Sequence, residues 1–91
     1  YYQRYLADAG SLIENITSAV DQMDSALASD KAHALKSTSA QIGAVHLAVM
    51  AYWIEKAGAE TDHGTLKEQS ARLHDFFEDV RAEMQDLMAK K

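Results

Sequence analysis

The most informative part of this chain is the segment 32–44, which reads AHALKSTSAQIGA. Its spacing is that of a helix, on which residues three and four positions apart are neighbours on the surface. His33 therefore has Lys36 and Ser37 beside it. Ala40 lies one turn further along the same face. The segment predicts a helix whose exposed face groups small and polar side chains around one histidine.

The chain before this segment also has the apolar spacing of helices. Residues 1–9 predict a short leading helix that ends at Gly10, because glycine accepts the backbone conformation that terminates helices. Ser11 and Glu14 have the spacing of a capping box, which marks the start of a helix. From there an apolar stripe predicts a first main helix that continues to about Ala28. The stripe consists of Leu12, Ile13, Ile16, Val20, Met23 and Leu27.

Three more helices are predicted in the remaining sequence. Ser29 and Asp30 resemble an N-cap for the helix that carries His33, and Gly43 marks its end. A third helix ends near Gly58, and a capping box at 65–68 begins the last one. Its inward-facing residues are predicted to be Leu66, Leu73, Phe77, Val80, Met84 and Leu87.

Helices with short connections predict an all-α fold, an antiparallel four-helix bundle. We expect one domain over residues 1–91, with the short leading helix at 1–10 and the bundle at 11–91. Aromatic side chains are assigned to packing within this bundle rather than to a ligand site. They include Tyr52, Trp53, Phe76 and Phe77.

Composition limits the functional classes. The 91 residues include no cysteine and no proline, so thiol chemistry and disulfides are excluded and uninterrupted helices are favoured. Nine basic residues stand against 14 acidic ones, a net charge of -5. Because nucleic-acid binding needs clustered cations, we expect no nucleic-acid partner. No apolar run approaches the roughly 20 residues of a membrane span, so we expect no direct membrane contact.

The histidine segment has a chemical interpretation. A neutral imidazole is nucleophilic near neutral pH, and a lysine one turn away can pair with the charge of a phosphoryl group. The segment resembles the motif of the histidine-phosphotransfer (HPt) family of bacterial phosphorelays, which reads roughly A-H-x-L-K-G-S-A-x-x-x-G-A. The resemblance implies that His33 accepts and donates the phosphoryl group and that Lys36 stabilises its charge. Ser37, where the family usually has glycine, and Ala40 would face the partner.

A second part of the resemblance lies on the next helix. HPt domains have a glutamine or glutamate twenty-two residues after the histidine, and this chain has Glu55 there. The resemblance implies that Glu55 accepts a hydrogen bond from one ring nitrogen of His33 and so directs the other outward. One departure is a short connection before the histidine, where only residues 29–32 precede it. A continuous or kinked helix, or a helix exchanged between two copies, would each accommodate this.

The resemblance also implies partners. We expect response-regulator receiver domains, with a histidine kinase core as a further candidate, and a monomeric phosphocarrier without an ATP site. No cofactor of its own is expected, since the receiver would bring Mg²⁺. We expect a cytoplasmic location. The domain would belong to a hybrid sensor kinase, which can itself be membrane-anchored, and a free-standing carrier is the alternative that the sequence leaves open.

Two alternatives remain open. A glutamate at position 55 is similar to the phosphoryl-accepting domain of chemotaxis kinases, in which a kinase domain would phosphorylate His33 directly. A non-catalytic docking bundle is the second alternative. A metal site is not predicted, because the one E-x-x-H sequence, Glu60 to His63, falls in a loop and is not repeated.

Overall fold

The computed structural model describes residues 2–89, which form four helices and no strand. The helices are α1 (Tyr2–Asp21), α2 (Ser25–Gln41), α3 (Val45–Ala59) and α4 (His63–Ala89). Helices α1 and α3 each pack against both α2 and α4. Since consecutive helices are neighbours joined by three-residue connections, the fold is an antiparallel four-helix bundle. The predicted fold class is confirmed.

The three connections share one backbone geometry. In each, the middle residue has a positive φ, which is 57° at Met23, 82° at Gly43 and 56° at Thr61. The next residue donates its backbone N–H to the carbonyl five positions earlier, over 2.8 to 2.9 Å. This bond belongs to the Schellman motif that ends many helices. The predicted helix end beside Gly43 is confirmed, because glycine is the usual residue for this conformation.

Helix α1 is continuous, so the predicted break at Gly10 is wrong for the residues described; residue 1 lies outside them. One stripe of buried side chains runs along α1 on both sides of Gly10. The packing of this stripe outweighs the roughly 1 kcal/mol that a glycine inside a helix costs in stability. The buried residues of the stripe are Tyr5, Leu6, Ala9, Ile13, Ile16, Ala19 and Val20. Ser11 is therefore an exposed position inside the helix rather than its cap.

Helix α2 begins earlier than predicted. Its N-cap is Asp24, whose Oδ1 accepts a hydrogen bond from the backbone N–H of Leu27 over 3.1 Å. The predicted boundary at Ser29 is wrong, since the Ser29 hydroxyl instead donates to the backbone carbonyl of Glu55 over 3.0 Å. Eight helical residues therefore precede His33, and the short connection suggested by the sequence is absent.

This boundary also removes two residues from the predicted core stripe of the first helix. That helix ends at Asp21 rather than near Ala28. Met23 is in the connection, 65% exposed, and Leu27 is an exposed residue of α2. All four helices pack within one chain, so no exchange of helices between copies is needed to build the bundle.

Helix α4 begins two residues before the predicted capping box. Asp62 caps it, because its Oδ1 accepts from the backbone N–H of Thr65 over 3.1 Å and its Oδ2 from the Thr65 hydroxyl over 2.7 Å. Leu66, Leu73 and Phe77 are buried as predicted, and Val80 and Met84 pack at the edge of the core; Leu87 is exposed, against the prediction.

None of the described helices has the length and apolar character that crossing a membrane requires.

Candidate functional site

His33 lies on the exposed face of α2, in the middle of the helix. Its side chain is 61% exposed. The neighbouring Ala32 and Leu35 are completely buried and attach this part of α2 to the bundle. A rigid helix thus presents the imidazole to solvent.

Glu55, on α3, contacts the histidine ring. Its Oε2 lies 2.8 Å from Nδ1 of His33. The hydrogen bond from the Lys36 ammonium holds the pKa of Glu55 below the usual value of a glutamate. Partial burial acts in the opposite direction, and the hydrogen bond with His33 lowers the pKa further. An ionised carboxylate only accepts hydrogen bonds, so Nδ1 carries the proton and donates it. In this tautomer, Nε2 has a free lone pair.

Lys36 completes a group of three charged or polar side chains with His33 and Glu55. Its Nζ lies 2.7 Å from Oε1 of Glu55, so each oxygen of the carboxylate binds a different donor. The hydrogen-bond partner of Lys36 in this structure is therefore Glu55. The half-buried Lys36 ammonium also lies over the ring of Tyr52, 5.6 Å from its centroid.

Close packing of α2 and α3 determines where Glu55 lies. Gly58 is buried at this interface, and a Cβ added to it would lie 2.7 Å from the backbone oxygen of Ser25 and 2.8 Å from Cβ of Ser29. The Ser29 hydroxyl also bonds to the Glu55 carbonyl, as described above. The two helix backbones thus come unusually close within about one turn of the site.

The other two residues predicted for the site, Ser37 and Ala40, are both exposed. They occupy the next positions along the face of α2 that carries His33. Both side chains are small, so they take up little room on this face of α2.

Tyr52 and Trp53 were not predicted to belong to this surface. The sequence predicts that they pack within the bundle, but they are 45% and 50% exposed, so that prediction is wrong. Their rings contact edge to face with centroids 5.4 Å apart, and the Lys56 ammonium lies over Trp53, 5.5 Å from its centroid. The signal that could have placed Tyr52 here is its position three residues before Glu55 on one helix.

Within residues 2–89, no three His, Asp or Glu side chains are grouped as possible metal ligands. The site itself consists of an oriented imidazole with a carboxylate on one nitrogen and an ammonium bound to that carboxylate.

Comparison with known proteins gives one match. A family model described as the Hpt domain matches residues 1–90, essentially the whole chain. No curated protein and no solved structure matches the chain.

Proposed function

Since the chain belongs to the Hpt domain family, which implies a histidine-phosphotransfer role in phosphorelays, we propose that it carries a phosphoryl group on Nε2 of His33. The group would pass between aspartates of two response-regulator receiver domains. Hpt domains interact with response regulators and kinases, and we place this module with them in the cytoplasm. The observation that carries the proposal is the 2.8 Å contact between Nδ1 of His33 and Glu55, which leaves Nε2 of this exposed side chain free to react.

The proposed step is an in-line attack of Nε2 on the phosphorus of an aspartyl phosphate. The nitrogen–phosphorus bond forms while the bond between phosphorus and the aspartate oxygen breaks, and its electron pair remains on the aspartate carboxylate. The ring keeps the proton on Nδ1 and becomes positively charged. Attack by a second aspartate carboxylate on the phosphohistidine reverses these changes and frees the ring.

Each residue of the site has a role in this step. Glu55 holds the ring and stabilises the positive charge that develops on it. Lys36 stabilises the negative charge of the transferred group, for which a lysine serves as a mobile point charge. Ser37 and Ala40 leave room for the partner. The domain needs no cofactor of its own in this scheme, because the receiver would supply Mg²⁺.

The test is uptake of label from a phosphorylated receiver. We expect wild-type protein to take up label that is lost in acid and stable in base, as a phosphohistidine is. His33→Gln should abolish the label without changing helicity. His46→Gln is the matched control, because His46 is an exposed histidine outside the site on α3. Label retained by His33→Gln contradicts the assignment of His33.

A second candidate differs only in the donor. The carboxylate of Glu55 favours direct phosphorylation of His33 by a kinase domain, as in the chemotaxis kinases that this position resembles. Mixing the module separately with a kinase domain and ATP, and with phosphorylated receivers, distinguishes the two. Failure of both donors would leave a docking bundle without phosphotransfer.

A further inference from the structure

We infer that Tyr52 is a positioning residue of this site, whose ring holds the Lys36 ammonium beside Glu55 and within reach of the phosphoryl group. The inference rests on the proposed function, because it concerns the charge that Lys36 meets when His33 is phosphorylated. It begins from the two contacts of the ammonium, 2.7 Å to Oε1 of Glu55 and 5.6 Å to the centroid of the Tyr52 ring.

One hydrogen bond is a weak restraint for a lysine. The side chain has four flexible carbons, and its ammonium is strongly hydrated. Glu55 is also shared with His33, so it cannot follow Lys36 if the ammonium moves. A ring face attracts a cation within about 6 Å of its centroid and supplies a second restraint.

The position of Tyr52 fits this role. It lies three residues before Glu55 on α3, so both side chains face α2 and reach Lys36 together. The attraction of a ring face for an ammonium does not depend on where each N–H points. Lys36 can therefore turn one N–H from the Glu55 carboxylate to a phosphoryl oxygen while the ring keeps it in place.

The same helix supplies a natural comparison. Lys56 lies over Trp53 at 5.5 Å, almost the distance between Lys36 and Tyr52, and both members of that pair belong to α3. It resembles the Tyr52 pair in chemistry and in the exposure of the ring but does not link α3 to the helix that carries His33. The Trp53 ring contacts that of Tyr52, but the cation over it is Lys56. Loss of the Trp53 ring thus controls for the loss of an exposed aromatic beside Tyr52.

Because Tyr52 is exposed, it has an alternative role to positioning Lys36, which is direct contact with the receiver. A contact of that kind would change how tightly the receiver binds. A positioning role would change the rate of transfer once the receiver is bound, and it would also change reaction with a small donor that needs no docking. Phosphoramidate is such a donor: its phosphorus–nitrogen bond breaks as Nε2 attacks, and ammonia leaves.

The first measurement uses the unphosphorylated protein. In wild type, the ring current of Tyr52 should shift the NMR signals of the Lys36 ε-methylene group upfield. Tyr52→Phe keeps the ring face and should keep the shift, whereas Tyr52→Leu should abolish it. Trp53→Leu should leave it unchanged. An unchanged shift in Tyr52→Leu overturns the inference.

The second measurement is the rate of His33 phosphorylation. With phosphoramidate, and with saturating phosphorylated receiver, Tyr52→Leu should be about two- to fivefold slower than wild type, the effect expected for an exposed cation–aromatic contact. Tyr52→Phe should restore the rate, and Trp53→Leu should match wild type. The receiver concentration at half-saturation should not change.

A double-mutant cycle tests the link to Lys36. In a Lys36→Ala background, Tyr52→Leu should cause no further slowing. Equal slowing in both backgrounds, or a raised half-saturating receiver concentration with an unchanged phosphoramidate rate, overturns the inference. Failure of the proposed function looks different: His33 of the wild-type protein would then take label from neither donor.

Discussion

At the scale of single residues, Glu55 is central because both of its carboxylate oxygens are in use. Oε2 accepts from the His33 ring, and Oε1 accepts from the Lys36 ammonium. Glutamine could still accept from the ring through its one oxygen. Its NH₂ group only donates, so the contact with Lys36 would be lost together with the negative charge.

We therefore expect Glu55→Gln to keep phosphorylation on His33 but to slow it, by up to about tenfold. The reason is that the phosphorylated ring is positively charged and would face a neutral amide. The measurement is the rate of label uptake from saturating receiver. Glu60→Gln, the same change in the connection between α3 and α4, is the control and should react at the wild-type rate. An unchanged rate in Glu55→Gln would show that its charge has no part in the reaction.

The sequence predicts the group of His33, Lys36 and Glu55 better than it predicts Tyr52. The first three follow from a local motif and from one fixed separation along the chain, and both can be counted without knowing any contact. Tyr52 lies in a helix that is apolar on nearly every side, from Val45 to Ile54. Its spacing could not distinguish a buried face from an exposed one.

At the scale of helices, the contact between α2 and α3 controls the geometry of the site. His33 and Glu55 are on different helices, so the length of their hydrogen bond depends on how closely these helices pack. Gly58 permits the close approach, since a Cβ there would meet the backbone oxygen of Ser25 at 2.7 Å. Backbone atoms cannot move aside as the end of a side chain can.

We expect Gly58→Ala to destabilise the protein by about 1–3 kcal/mol through overpacking, although alanine is the better helix former. It should also weaken the hydrogen bond of the His33 ring, because the helices must separate. Urea unfolding measures the first effect, and the NMR signal of the Nδ1 proton measures the second.

Gly10→Ala is the matched control for this change. A Cβ at Gly10 would lie 3.6 Å from the Phe77 ring, an ordinary contact. This variant should therefore gain up to about 1 kcal/mol from helix propensity and leave the His33 signal unchanged. If both variants behaved alike, the special role of Gly58 would be wrong.

Helix boundaries were the least predictable feature, for a reason that the connections make clear. All three contain a residue with positive φ, but only one of these is glycine. Met23 and Thr61 adopt the same conformation at a cost of roughly 1–2 kcal/mol, which the surrounding packing outweighs. Their side chains give no local sign of a turn, so Ser29 and Thr65 resemble helix starts although the helices begin earlier, at Ser25 and His63. Gly10 resembles a helix end, but the buried residues on both sides of it keep α1 continuous.

At the scale of the whole molecule, acidic charge lies mainly on the two helices without site residues. Helices α1 and α4 together carry nine acidic and four basic residues, whereas α2 and α3 carry two acidic and three basic. The net charge of -5 thus arises largely outside the α2–α3 pair. Under the proposed function, a receiver with a phosphorylated aspartate would meet a nearly balanced surface there, where long-range repulsion is small.

One buried polar contact joins α1 to α2. The Tyr5 hydroxyl and the Ser39 hydroxyl are 2.9 Å apart, and both residues are buried. Burial raises the pKa of Tyr5 above its usual value, although the bond to Ser39 acts in the opposite direction. The pKa of Tyr5 is therefore higher in the folded than in the unfolded protein, so the protonated hydroxyl contributes to stability. This contribution is complete below the unfolded-state pKa of about 10 and is lost as the pH rises through the folded-state pKa.

We expect Tyr5→Phe to lower the free energy of unfolding by about 1 kcal/mol at neutral pH, because the Ser39 hydroxyl loses its partner. The variant should also lose less stability than wild type when the pH is raised above about 10. Urea unfolding between neutral pH and pH ~11 measures both effects. Adding Ser39→Ala to Tyr5→Phe should cost less than the sum of the single changes; full additivity would show that the two hydroxyls are not coupled.

The position of the site on consecutive helices has a consequence for how such a protein can diversify. Every side chain assigned to the chemistry, and the glycine contact that aligns them, falls within residues 25–58, a single helical hairpin. Helices α1 and α4 cover its apolar side. Their outward residues are free to change in evolution, or by design, without altering the reactive nitrogen. The same hairpin could therefore pack against a different pair of supporting helices in another signalling protein.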